Sequence, residues 1–218
     1  MLRENPTFTW PVFQFTFLFL FGLLSATFSS AAIAREAHSL EVLKVLPLSG
    51  WTIACGKYWI HWLVLFSFLG ILELVAALLL NWSIAYFIYG WIIVGMMMAG
   101  SSAIGVWFSA IGAKYNPNNP QNRLETGTSF LLMFANLIYL LLISVPVAFL
   151  VIPLESLDFL EIELLHKLLD FKQSAGSLAT VGAFLICLLI SFCTAWLSLR
   201  ACGKAVDRGV SITFEEKR

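Results

Sequence analysis

A single carboxylate stands inside a long apolar stretch, Glu73 between Leu72 and Leu74. At that depth in a membrane span a carboxylate costs several kcal/mol unless it is protonated, paired or facing water, so it should turn toward the interior of a helical bundle. Two roles fit such a residue: a contact for a proton or a substrate, or a protonated acid hydrogen-bonded to a neighbouring helix. Asn136, in another apolar run, suits an interhelical hydrogen bond better than ligand binding. Other chemistries lack their residues. There is no HExxH and no GxSxG, which removes the usual signatures of intramembrane proteolysis and of a hydrolase. His38, His61 and His166 fall in an inner segment, a span and an outer segment, too dispersed for a shared metal or haem. The stretch from Gly50 to Lys57 imitates a phosphate-binding loop, but that loop needs four residues between its glycines and a Ser or Thr after the Lys. Here five residues intervene and Tyr58 follows, so this chain is not expected to bind ATP itself or to be an enzyme.

The elements that must position these groups follow from composition. Of 218 residues, 60% are hydrophobic and 12% charged, whereas a soluble domain carries roughly a quarter charged residues. A soluble core could not hide so much apolar surface; a bilayer can, provided backbone groups are satisfied within helices. The formal net charge is zero, which suggests no nucleic-acid partner. Cys55, Cys187, Cys193 and Cys202 form no CxxC pair and lie in or beside apolar runs; they read as free, buried thiols.

Runs long enough to cross about 30 Å of hydrocarbon occur at about 8–33, 51–80, 83–111, 128–152 and 176–200. The sequence thus predicts an all-α membrane protein, one transmembrane domain over 1–218 with about five spans. Asn81-Trp82 between the second and third runs suits a tight turn at the membrane surface. In the third run Gly95, Ala99, Ser101, Gly105, Ser109 and Gly112 should let helices approach closely, with Met96, Met97 and Met98 filling core.

If the first span enters from outside, ten of the Lys and Arg residues fall on the inner side, and only Arg3, Lys167 and Lys172 on the outer. That bias puts the N-terminus outside and the C-terminus in the cytoplasm. A signal peptide cleaved after Ala32-Ile33-Ala34 would strand the basic 35–57 segment outside, and the apolar run is too long for one. The segment 154–174 has leucines at helical spacing between acids, which suits an external amphipathic helix before the last span. The tail from Ala201 to Arg218 reads as charged and loosely ordered.

The inner segment 35–46 reads as a short amphipathic helix stopped before Pro47. Leu40, Leu43 and Leu46 line one side, with Arg35, Glu36, Glu41 and Lys44 around the rest. Such a helix could lie on the membrane or fit a groove in a cytoplasmic partner. The stretch AREAHSLEVLKVLPLSGWTIACGKYWIHW resembles the segment after the second span in ABC exporter permeases of the second type, through Glu36, Ser39, Leu40, Glu41, Leu43, Leu46, Pro47, Leu48, Ser49, Gly56 and Lys57. The later GAKYNPNNPQNRLETGTSF is similar to an inner loop of a large bacterial exporter subfamily.

This resemblance implies a permease component of an ATP-driven exporter in a bacterial plasma membrane. Its coupling helix at 35–46 would contact a separate ATPase subunit, which would hold the ATP and magnesium, with no cofactor on this chain. It also implies a second membrane half, from the same or another chain. A half of that family has six spans and a cytoplasmic N-terminus. Five are read here, the first resembling the family's second, which suits the C-terminal part of a longer permease or a chain working beside another. A different class of function is a non-transporting membrane subunit or assembly factor whose inner helix docks a cytoplasmic partner. An intramembrane enzyme centred on Glu73 lacks a second catalytic group. In a chain whose native cysteines are replaced, cysteines placed at Asn118 and Asp158 should label from opposite sides. An impermeant reagent on intact cells should reach 158; reaching only 118 would invert the orientation.

Overall fold

The computed structural model describes residues 6–36, 48–115, 124–152, 163–210 and 213–214, with the backbone alone for 6–8, 115, 163–175 and 213–214. It is helical, and among the described residues five helices are long and apolar enough to cross a membrane. They are α1 (Pro6–Ser29), α2 (Gly50–Leu80), α3 (Ile84–Ile111), α4 (Thr126–Val151) and α5 (Glu163–Arg208). A two-residue parallel pairing, β1 (Lys114–Tyr115) with β2 (Thr213–Phe214), joins the segments that follow α3 and α5.

Helix boundaries follow local chemistry. Ser49 and Ser83 cap α2 and α3, their hydroxyls accepting from Thr52 N at 3.3 Å and Tyr86 N at 3.4 Å. Asn81, with φ 54°, ends α2 in the left-handed region that Asn tolerates, and the hairpin turns there. α1 is shorter than the 8–33 run: the helix stops at Ser29, and residues 30–36 continue as turns. There the Ser30 hydroxyl bonds the Thr27 carbonyl at 2.7 Å, while Ile33 and Ala34 are buried beneath the bundle. The helix preceding the last span begins at Glu163, and non-helical backbone at Gly176 (φ 51°, ψ −124°) separates it from that span.

α3 is the axis of the bundle: 78% of its most apolar window is buried, against 22% in α2 and in α5. The other helices form a ring around it in the order α1, α2, α5, α4. What admits α1, α2 and α4 is the absence of side chain. A Cβ on Gly90 would strike the Gln14 side chain, on Gly95 the Phe66 ring, on Gly100 the Tyr139 ring and on Gly105 the carbonyl of Ala26. Met97 and Met98 are wholly buried in the resulting core.

One end of the bundle is aromatic. Trp10 stacks on Tyr89 at 5.9 Å and donates its Nε1–H to the Tyr86 carbonyl at 3.1 Å. The other end gathers the turns after α1, the start of α2 and the ends of α3 and α5 around Ile33, Ala54, Val106 and Cys202. Arg35, Lys57, Lys114, Arg200, Lys204 and Arg208 all belong to segments at this end.

Two expectations are corrected. Residues 201–208 are not a loose tail; they continue α5, because Cys202 and Gly203 are buried against neighbours and the Asp207 carboxylate accepts from the Gly50 N–H at 2.7 Å. The thiols are all free, but Cys193 is exposed on the outer face of α5 and Cys55 is half-buried.

Gly105→Val should lower the unfolding midpoint of the purified chain in detergent, by about 1–3 kcal/mol of overpacking against Ala26 and Ser29. Gly56→Ala, where a Cβ meets nothing within 4 Å, should be neutral or stabilising by up to about 1 kcal/mol. Equal effects from the two would mean that the close approach of α1 to α3 does not hold the bundle.

Candidate functional site

Glu73 sits seven residues before the end of α2 and is fully buried, turned to the bundle interior. Its partner is Gln14 of α1, whose Nε2 donates to Glu73 Oε2 at 3.3 Å. Gly90 of α3 lies directly against the Gln14 side chain, so three helices meet where a bulkier residue on α3 would displace the amide. Glu73 Oε1 and Gln14 Oε1 have no hydrogen-bond partner among the described residues. The pair therefore keeps acceptor capacity inside the bundle, where an unpaired polar atom costs about 1–3 kcal/mol. Chemically it can hold a proton or accept a hydrogen bond from a small donor.

Other buried polar groups continue the same stripe of α1. Asn136 Nδ2 of α4 donates to the Gly22 carbonyl at 3.2 Å. The Ser25 hydroxyl meets that of Ser102 and the carbonyl of Met98. Ser29, one turn on, is fully buried. From Gln14 to Ser29 the stripe runs about 22 Å at 1.5 Å per residue, most of a hydrocarbon thickness. Glu73 and Asn136 are thus not brought together: their contacts on α1 are eight residues apart, about 12 Å along the axis. Tyr139, behind Asn136, donates to the Met97 carbonyl at 2.9 Å and meets Ser191 of α5 at 3.2 Å.

Of the inner-segment residues, Glu36 is described and forms an ion pair with Lys57 on the second turn of α2. Leu40, Glu41, Leu43, Lys44 and Leu46 lie outside the described residues, as do His38 and the Asn116–Pro120 loop. His61 is structural: its Nδ1–H donates to the Lys57 carbonyl at 2.7 Å, and its ring packs on Phe28. Among the described residues no cluster of His, Cys, Asp and Glu could hold a metal ion.

Gln14 escaped the sequence reading. Its signal was a long polar amide in a span otherwise built of Phe and Leu, at a period that also includes Ser25 and Ser29. No family model, curated protein or solved structure matches the chain.

Glu73→Leu leaves the Gln14 amide donor buried without its acceptor, and should destabilise by about 1–3 kcal/mol. Adding Gln14→Leu should recover part of that loss, because replacing both partners removes the unpaired group. Unfolding midpoints of the two single variants and the double variant measure the coupling. Strict additivity would mean that the pair is not a working hydrogen bond.

Proposed function

We propose that the chain is the transmembrane permease component of an ATP-driven exporter, working with a cytoplasmic ATPase subunit that docks on 35–46 and with a second membrane half. The observation that carries this reading is the Glu36–Lys57 ion pair. Both residues belong to the stretch that resembles the coupling segment of ABC permeases. Their pairing ties Glu36, the last of the turn residues after α1, to the second turn of α2. A load on it would pass into α2.

From there it has a route onward. The first amide of α2 is held by Asp207 of α5, and Gly203 packs on the Trp51 backbone, so that a Cβ there would lie 2.9 Å from Trp51 N. α2 and α5 flank the axial α3, where the Phe66 ring of α2 lies against Gly95. Glu73, on the same α2, would feel any displacement of that helix against α1. ATP and magnesium belong to the partner in this reading, and the basic end faces the cytoplasm of a bacterial cell.

The test is recovery of the ATPase. An affinity-tagged chain should copurify from native membranes with an ATP-binding protein. Leu43→Asp would bury an unpaired charge in the docking groove at a cost of several kcal/mol. It should insert normally yet lose the ATPase more than tenfold, along with ATP-dependent transport. Lys57→Glu should weaken recovery, and Glu36→Lys in the same chain should restore part of it. Undiminished recovery with Leu43→Asp rules out 35–46 as the coupling element. A wild-type chain that brings down a non-ATPase cytoplasmic protein would favour the docking-subunit reading. Glu73→Gln, which keeps hydrogen bonding but loses ionisation, should transport normally if Glu73 only packs; a folded, transport-dead variant assigns it a proton or substrate role.

A further inference from the structure

Two clefts open along the seam between α2 and α5, and they differ in chemistry. The larger of the two, about 330 Å³, is walled by Tyr58, Trp62 and Phe66 of α2 and by Leu188 and Phe192 of α5, with Gly95 also lining it. That volume lies at the lower end of the range for small-molecule sites. Its aromatic wall is rigid: Trp62 stacks on Phe66 at 4.7 Å, Phe66 on Trp91 at 4.6 Å, and Trp62 Nε1–H donates to the Gly95 carbonyl at 3.1 Å. The second cleft, about 280 Å³, lies at the basic end between Trp51 of α2 and Trp196, Arg200, Lys204 and Asp207 of α5.

The guanidinium of Arg200 stands 5.1 Å over the Trp196 ring, and Lys204 follows one turn later on the exposed face. Asp207 is turned to the start of α2, its Oδ1 accepting from Gly50 N–H. The two cations therefore set the sign of the cleft. Tryptophans at this level are what the boundary between hydrocarbon and headgroups selects.

The clefts are neighbours. Phe192 lines the apolar one and Trp196 the basic one, and residues four apart on a helix are adjacent. From Phe192 to Arg200 the rise is about 12 Å, enough to carry a molecule from headgroup level into the hydrocarbon. Phe192, in the wall of the apolar cleft, is 64% exposed, so entry is lateral, from the bilayer.

The geometry points to a binding groove for one anionic glycerophospholipid, its phosphate held by Arg200 and Lys204 beneath Trp51 and Trp196, and an acyl chain seated between Tyr58, Trp62 and Phe192. This bound lipid is separate from any transported cargo, and the inference does not depend on the exporter reading. It would tie the start of α2 to the end of α5 from outside, where Asp207 and Gly203 tie them from within.

The test uses the purified full chain in neutral detergent, mixed with dioleoyl phosphatidylglycerol or dioleoyl phosphatidylcholine and read by native mass spectrometry. About one phosphatidylglycerol per chain should be retained, at least tenfold in preference to phosphatidylcholine. The exposed positions in Arg200→Gln/Lys204→Gln should leave folding intact while lowering phosphatidylglycerol affinity roughly tenfold or more. In the wild type, dioctanoyl phosphatidylglycerol should bind much more weakly than the dioleoyl lipid, and inorganic phosphate should not displace it at millimolar concentration. Equal retention of the two dioleoyl lipids, or an undiminished double variant, overturns the headgroup site. Displacement by phosphate, or equal binding of short and long chains, overturns the acyl cleft and with it the proposal. No ATPase is present in the assay, so its outcome is distinguishable from a failure of the exporter reading.

Discussion

Helix α3 can be surrounded because it carries so little side chain where its neighbours arrive. Within a bilayer, burial of apolar groups gives helices little reason to associate, since lipid tails are as apolar as leucine; close packing and interhelical hydrogen bonds must serve instead. Gly90, Gly95, Gly100 and Gly105 present backbone to Gln14, Phe66, Tyr139 and Ala26 in turn, and these four partners come from α1, α2, α4 and α1. Around α3 the helices stand in the order α1, α2, α5, α4, and the glycines receive three of the four. Without those four positions the helices would stand further from the axis, and the hydrogen bonds between them would lengthen beyond use.

Those hydrogen bonds are concentrated on α1, which carries little charge among its described residues but holds a file of amides and hydroxyls facing inward. Three buried side chains of α1 and α4 donate to carbonyls that a neighbouring helix exposes: Asn136 to Gly22, Ser25 to Met98 and Tyr139 to Met97. Such bonds fix the rotation of one helix about another, because a carbonyl inside a helix is fixed in direction. The Gln14–Glu73 pair differs in joining two long side chains; each keeps an oxygen without a partner among the described residues, as do Asn136 and Ser29. Side chains of that length can change partner without moving a backbone, so if any part of the α1 file responds to a ligand, a proton or a shift of α2, it is this one.

The five spans were legible because hydrophobic length is a local property, and the Asn81 turn because a left-handed residue needs one of few side chains. The burial of Glu73 was legible for a related reason: a carboxylate in a span has nowhere else to point. Its partner was not, since nothing in the chain says which helix will face which, and Gln14 is 59 residues away. The extension of α5 to Arg208 was hidden by Lys204, Asp207 and Arg208, which read as a solvated tail. A signal was nonetheless present in Leu199, Cys202 and Val206, apolar residues at three- and four-residue intervals that continue the inward face of the span. Of the charges there, Asp207 holds the start of α2.

The contact between Asp207 and the first amide of α2 also orders events in time. The acceptor lies 157 residues beyond the donor, so during synthesis α2 enters the membrane with that end open and stays so until the last span has followed. Insertion and assembly are therefore separate accomplishments for this chain. A molecule can be threaded five times across the bilayer, every span at its proper depth, and still lack the joint between its second and fifth helices.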